Sequence, residues 1–174
     1  MDQLAPLNER ITALIGNLSG LRPLYNEVGN FLVSVIQRNF IEQGRPERWK
    51  PSKAAVAREG QTLRDTGVLM NSIIAEPTDS GVDVGPSGPA AKYARILGEG
   101  GVITAKNKPY LMFSVMSGYR KTNKSGAPLR RPIAEYGFVR VKSVTIPGWN
   151  YMYVPPADQE KIAEMAAAFI GGKL

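Results

Sequence analysis

Few side chains in this sequence could make or break a bond. Its 174 residues include no cysteine and no histidine, which removes thiolate nucleophiles, imidazole bases and the usual Cys/His metal sets. Acid–base work would fall to Asp, Glu, Lys or Tyr, and any metal would have to be held by carboxylates. The acids in the middle of the chain are Glu59, Asp65, Glu76, Asp79, Asp83 and Glu99. They lack the spacing of a metal-binding loop, and no pair falls on one helical face of a cleft. A carboxylate-dependent hydrolase is the weakest of three functional readings; no catalytic, cofactor or metal site is assigned, and the chain is read as a non-enzyme.

Two glycine-containing stretches invite comparison with nucleotide sites. Gly118 to Ser125 reads GYRKTNKS, one residue from the phosphate-loop pattern, but Asn123 replaces the second glycine. Gly126-Ala127-Pro128 follows where a helix should start, so the backbone amides that wrap phosphate have no platform. The glycines of LGEGG have neither the spacing nor the strand-before-helix order of a dinucleotide fingerprint.

Charge is the remaining signal. The formal net charge is +7, which directs attention to polyanions and acidic surfaces as partners. The segment 117–135 concentrates Arg120, Lys121, Lys124, Arg130 and Arg131 against the single acid Glu135. It is rich in glycine and proline and too long for a tight turn, so it reads as a functional or disordered loop. With Arg140 and Lys142 beyond it, these cations are the candidate contacts for a neighbouring subunit or partner. Tyr119 is the loop's one aromatic, so base-stacking recognition is disfavoured, and sequence-blind nucleic-acid binding by this loop stands as the alternative reading.

The elements that would carry these residues follow from periodicity. Helical spacing of Leu7, Ile11, Leu14, Ile15 and Leu18 predicts a first helix over 5–18. Leu24, Val28, Phe31, Leu32, Val35, Ile36 and Phe40 form a wider stripe, predicting a long helix that ends near Gly44 and lies across a sheet. An irregular connector with a helical turn at 54–58 follows, and Trp49 in it should anchor the loop to the core. Asp65 or Thr66 should cap a short helix over 67–72. A hairpin is expected from 71–75, a turn at 77–81 and the returning Val82 and Val84. Residues 90–97 are helical in spacing, Gly100 and Gly101 make a corner, and Val102-Ile103 starts a strand. Glu99 beside that corner is either a buried acid or a partner of turn amides.

Further strands are expected at 110–116 and 136–146, the second with Val139 and Val141 on one face and Arg140 and Lys142 on the other. The hairpin from about 112 to 138 is expected to project and touch a neighbour. Trp149 closes a turn as a second anchor, and a helix runs from Pro156 to the pair Gly171-Gly172, with Ile162, Met165, Ala166 and Phe169 on its apolar side. The result is a single domain of helices and strands over 1–174: a helical part over about 5–43, a mixed body over about 44–155 and a C-terminal helix over about 156–170. No apolar run is long enough for a bilayer, and the N-terminus MDQLAPLNER lacks a signal pattern; the protein is expected to stay soluble where it is made, with no membrane partner.

Several blocks in order carry a resemblance. RWKPS (Arg48 to Ser52), LRDTGVLMNSI (Leu63 to Ile73), VDVGP (Val82 to Pro86), YARILGEGG (Tyr93 to Gly101), KPYLMF (Lys108 to Phe113) and FVRVKSVTIPGW (Phe138 to Trp149) resemble the phage virion morphogenesis family, the tail-completion and neck proteins of Mu-type tailed phages. Trp49, Tyr93, Glu99, Gly100, Gly101 and Trp149 are the structural marks of these blocks. Leu97 stands where the family usually has His, and Glu99 where it usually has an aromatic residue. The resemblance implies an α+β domain: a small antiparallel sheet packed on a long amphipathic helix, a long protruding β-hairpin and a C-terminal helix. It also implies a virion protein of the head–tail neck, a tail-completion or terminator component acting as a homo-oligomeric ring, sixfold before twelvefold. Its partners would be other neck and tail-tube proteins, with transient contact to packaged DNA, and no cofactor.

Overall fold

The computed structural model describes residues 20–122 and 128–171; the helix expected over 5–18 lies outside them. The chain is mixed helix and strand, an α+β fold with five described helices and small antiparallel ladders. It divides into two compact units, Met1–Gly98 with Trp149–Leu174, and Glu99–Gly148.

The first unit is built on helix α1, Arg22–Glu42, which has a proline in its first turn and ends where Gln43 takes a left-handed conformation. Leu24, Val35, Ile36 and Phe40 are buried along it, while Asn30, Ser34 and Arg38 are exposed, as the stripe requires. The helix lies against the antiparallel pair β1 (Ile73–Pro77) and β2 (Val82–Pro86), registered from Ile73 opposite Pro86 to Pro77 opposite Val82. Gly29 is the point of closest approach: a Cβ there would lie 2.7 Å from Ala75 Cβ and 2.9 Å from Val82 Cγ2.

Two short helices and a longer one complete the core. Helix α2, Lys53–Ala57, is capped by Ser52, whose Oγ accepts from Ala55 N at 3.1 Å. Helix α3, Val68–Asn71, is entered through Gly67 at φ 78° with no side-chain cap. The expected cap by Asp65 or Thr66 is therefore corrected: the glycine makes the turn itself, and the Asp65 carboxylate lies 3.4 Å from Arg58 Nε. Helix α4, Gly88–Glu99, buries Ala90 and Ala94. These join Ile36, Phe40, Leu69, Ile73 and Tyr151 in one apolar cluster, with Phe40 edge-on to Trp49 at 5.8 Å and tilted on Tyr151 at 5.3 Å. Helix α5, Pro156–Gly171, has no buried residue; its predicted apolar side, Ile162, Met165, Ala166 and Phe169, is only half-buried.

The second unit is a β-ribbon. Strand β3 (Gly101–Thr104) pairs with β6 (Ser143–Ile146), and β4 (Leu111–Thr122) with β5 (Pro128–Val141), all antiparallel. The two ladders follow one another along the same two chain segments, parted where residues 105–110 on one side face Lys142 alone on the other. Two expectations are corrected here. The stretch 136–146 is not one strand but the end of β5 and all of β6, divided at Lys142. Residues 117–122 and 128–135 are not a loop, because the ladder continues through them as far as Thr122 opposite Pro128. Register shifts between Met116 and Gly118 and between Arg120 and Thr122 absorb its irregular residues.

Candidate functional site

The first unit offers anchoring rather than chemistry. Trp149 is buried, its Nε1 donates to Lys50 O at 3.0 Å, and its amide donates to Leu97 O at 2.9 Å. Trp49 lies edge-on to Phe40, so both tryptophans join loop segments to the core. Tyr93 is partly exposed on α4.

Sequence reasoning missed the polar hub behind them. Asn39 is 0% exposed on the apolar side of α1. Its Nδ2 donates to Tyr151 O at 2.7 Å and Tyr153 O at 2.8 Å, and its Oδ1 accepts from Arg45 Nε at 2.6 Å. Arg45 also reaches Val35 O at 2.6 Å and Asp158 Oδ2 at 3.3 Å. A polar residue three positions after Ile36 and one before Phe40 was the available signal.

Among the acids, Glu76 and Asp83 stand opposite each other in the β1–β2 register, both exposed. Among the described residues, no group of three metal-ligating side chains occurs. Glu99 is exposed, which corrects its reading as a buried acid. The neighbouring corner is closed: Gly100 has φ 80°, and a Cβ on it would lie 2.6 Å from Gly148 N and 3.0 Å from Ile146 O. Only glycine fits there, and Gly101 then opens β3 opposite Ile146.

The ribbon presents the surface on which function can be placed. Leu111, Phe113, Val139 and Val141 fall on one face of β4–β5, paired Leu111 with Val141 and Phe113 with Val139. Met112, Arg140 and Phe138 fall on the other. Phe138 is 69% exposed and Val102, on β3, 61%; Ile103, Met112, Phe113 and Val139 are exposed as well. Large apolar side chains are therefore displayed on both faces of the β4–β5 ladder.

The predicted cations divide as follows. Arg120 and Lys121 lie on β4, Arg130 and Arg131 on β5, and Lys124 lies outside the described residues. Arg140 sits over the Tyr110 ring at 4.9 Å. Lys142 is exposed where the ribbon is interrupted, its carbonyl accepting from Ala105 N at 3.5 Å. That interruption adds two cations absent from the predicted set, Lys106 and Lys108, both exposed.

The profile of the phage virion morphogenesis family matches residues 2–170. Comparisons with curated proteins and with solved structures returned no match. The chain belongs to the phage virion morphogenesis family and is a structural phage virion protein; among the described residues no helix is long and apolar enough to cross a membrane.

Proposed function

We propose that this virion protein is a tail-completion or terminator component of the head–tail neck, forming a homo-oligomeric ring that lets the tail join the DNA-filled head. The observation that carries the reading is the ribbon unit. A ladder of two strands is marginal alone in water, and this one exposes Val102, Met112, Phe113, Phe138 and Val139. Its strand edges and apolar faces are suited to pairing with a neighbouring copy. A ring requires a heterologous contact, one face of each subunit against a different face of the next, whose rotation closes. The work of such a protein is docking, and no covalent step enters it.

The test is oligomeric state. Wild-type protein should give a ring mass by light scattering at micromolar concentration. The double variant Phe113→Ser, Val139→Ser removes two side chains that register on one ribbon face. Covering the exposed part of each contributes on the order of 1 kcal/mol, so each interface should weaken roughly 10- to 100-fold. The variant should run as monomer with an unchanged circular-dichroism spectrum, and phage carrying it should accumulate unjoined heads and tails. A wild-type monomer at every concentration, or normal infectious particles from the variant, would count against the proposal.

A further inference from the structure

The charge of this chain is not spread over it. The ribbon unit Glu99–Gly148 contains nine Lys and Arg against two acids, Glu99 and Glu135, while the other unit has thirteen of each. The whole formal +7 therefore resides on 50 residues, and the other unit is formally neutral. Between Glu99 and Glu135 no acid occurs at all.

The structure gives this charge a focus. At the ribbon interruption, the connector 105–110 brings Lys106 and Lys108 beside the strand exchange at Lys142, joined by the Ala105–Lys142 backbone bond. Arg140, two residues earlier, lies over Tyr110 at the connector's end. All four cations are exposed. Arg45, Arg58 and Lys161, in the other unit, make ion pairs.

We infer that this cluster is a binding site for the phosphate backbone of duplex DNA, read without regard to sequence. Four exposed cations gathered at one point of an extended ribbon, on a unit of formal charge +7, suit a linear polyanion, which carries about one charge per 1.7 Å of helix axis. An acidic protein partner would instead present a complementary negative patch, not a line of evenly spaced charge. The Tyr110 ring is engaged by Arg140, so the cluster offers charge rather than a base-stacking platform, which favours duplex over single strand. The inference stands on the charge partition and does not depend on ring formation.

Fluorescence anisotropy of the full-length protein with a labelled 30-base-pair duplex, titrated between 50 and 200 mM salt, tests it. Wild type should bind two unrelated sequences equally, with log K falling linearly in log salt. Four phosphate contacts account for about 3.6 of that slope, or roughly 100-fold in affinity over this range. The variant Lys106→Gln, Lys108→Gln, Arg140→Gln, Lys142→Gln should lose that share. The milder pair Lys106→Gln, Lys108→Gln, confined to the connector, should lose about half of the slope change even if the fourfold variant folds poorly. A control of equal charge change on the neutral unit, Arg22→Gln, Arg38→Gln, Lys53→Gln, Lys92→Gln, should keep the slope. Absence of binding at 50 mM salt, or a control that loses as much, would overturn the site. Tighter binding of polyglutamate or of single-stranded DNA of matched length would overturn duplex DNA as its ligand.

Discussion

Replacing Asn39 by leucine keeps the side-chain size and removes its polar atoms, which isolates what the amide does. Asn39 is fully buried, and its three hydrogen bonds, at 2.7, 2.8 and 2.6 Å, join α1 to the carbonyls of Tyr151 and Tyr153 and to Arg45. Leucine would leave two carbonyls and one guanidinium N–H without these partners. A buried group left unsatisfied costs about 1–3 kcal/mol. Tyr151 is buried, Tyr153 and Arg45 only partly so, and water can reach those two; a total of about 4 kcal/mol follows, not the sum of three maximal costs. For a chain of this length that is a fall in melting temperature of about 8–16 °C. Urea denaturation followed by circular dichroism should show the midpoint falling with little change of slope, and the exposed neighbour Arg38→Leu should stay within about 0.5 kcal/mol. A loss below about 1 kcal/mol for Asn39→Leu would refute the view that this amide fixes the C-terminal segment to the long helix.

Two glycine substitutions test the close approaches with opposite intuitions. Gly29→Ala would ordinarily stabilise a helix interior by up to about 1 kcal/mol. Here the new methyl would sit 2.7 Å from Ala75 Cβ and 2.9 Å from Val82 Cγ2, and overpacking of about 1–3 kcal/mol should win; a rise in stability by urea titration would show that α1 does not press on the hairpin. Gly100→Ala must take φ 80° and place a Cβ 2.6 Å from the backbone nitrogen of Gly148. Backbone cannot rotate away as a side chain can, so the cost should exceed the roughly 1–2 kcal/mol of a left-handed residue alone. Hydrogen exchange should quicken first at the β3–β6 amides, and unchanged protection there would remove the closed corner.

Legibility in the sequence followed the range of the interactions. Helix α1 is readable because Leu24, Val35, Ile36 and Phe40 recur within one element. The β1–β2 hairpin is readable because its turn chemistry is local: Thr78 N donates to Gly81 O at 2.8 Å. The corner at Gly100 is announced by its residue type. The strand content of 117–135 is not readable, because Gly118, Pro128 and Pro132 are loop signals, and the ladder bonds that overrule them come from the opposite strand. In a two-stranded ribbon both strands are edges, and Pro132 lies where the register shifts between Ile133 and Pro128, a position that tolerates a missing N–H. The Gly67 entry to α3 was hidden by more usual capping residues just before it. Lys106 and Lys108 are not legible as part of a cluster, since only the β3–β6 and β4–β5 pairings place their connector opposite Lys142.

The charge partition also constrains the proposed ring. If neighbouring copies met ribbon to ribbon, two surfaces of +7 would face each other, and within a Debye length of about 8 Å physiological salt screens such repulsion only in part. A contact between the ribbon of one copy and the neutral unit of the next avoids that cost and lets Phe113 and Val139 find apolar cover. Such a contact joins unlike faces, which is the heterologous kind that rotation can close. It would also leave the cations at Lys106, Lys108, Arg140 and Lys142 free of same-sign neighbours. Where several copies then bring those clusters around a single duplex, their positive charges are matched by phosphates and not by one another, so the apolar face and the cationic cluster of one ribbon can serve different partners at the same time.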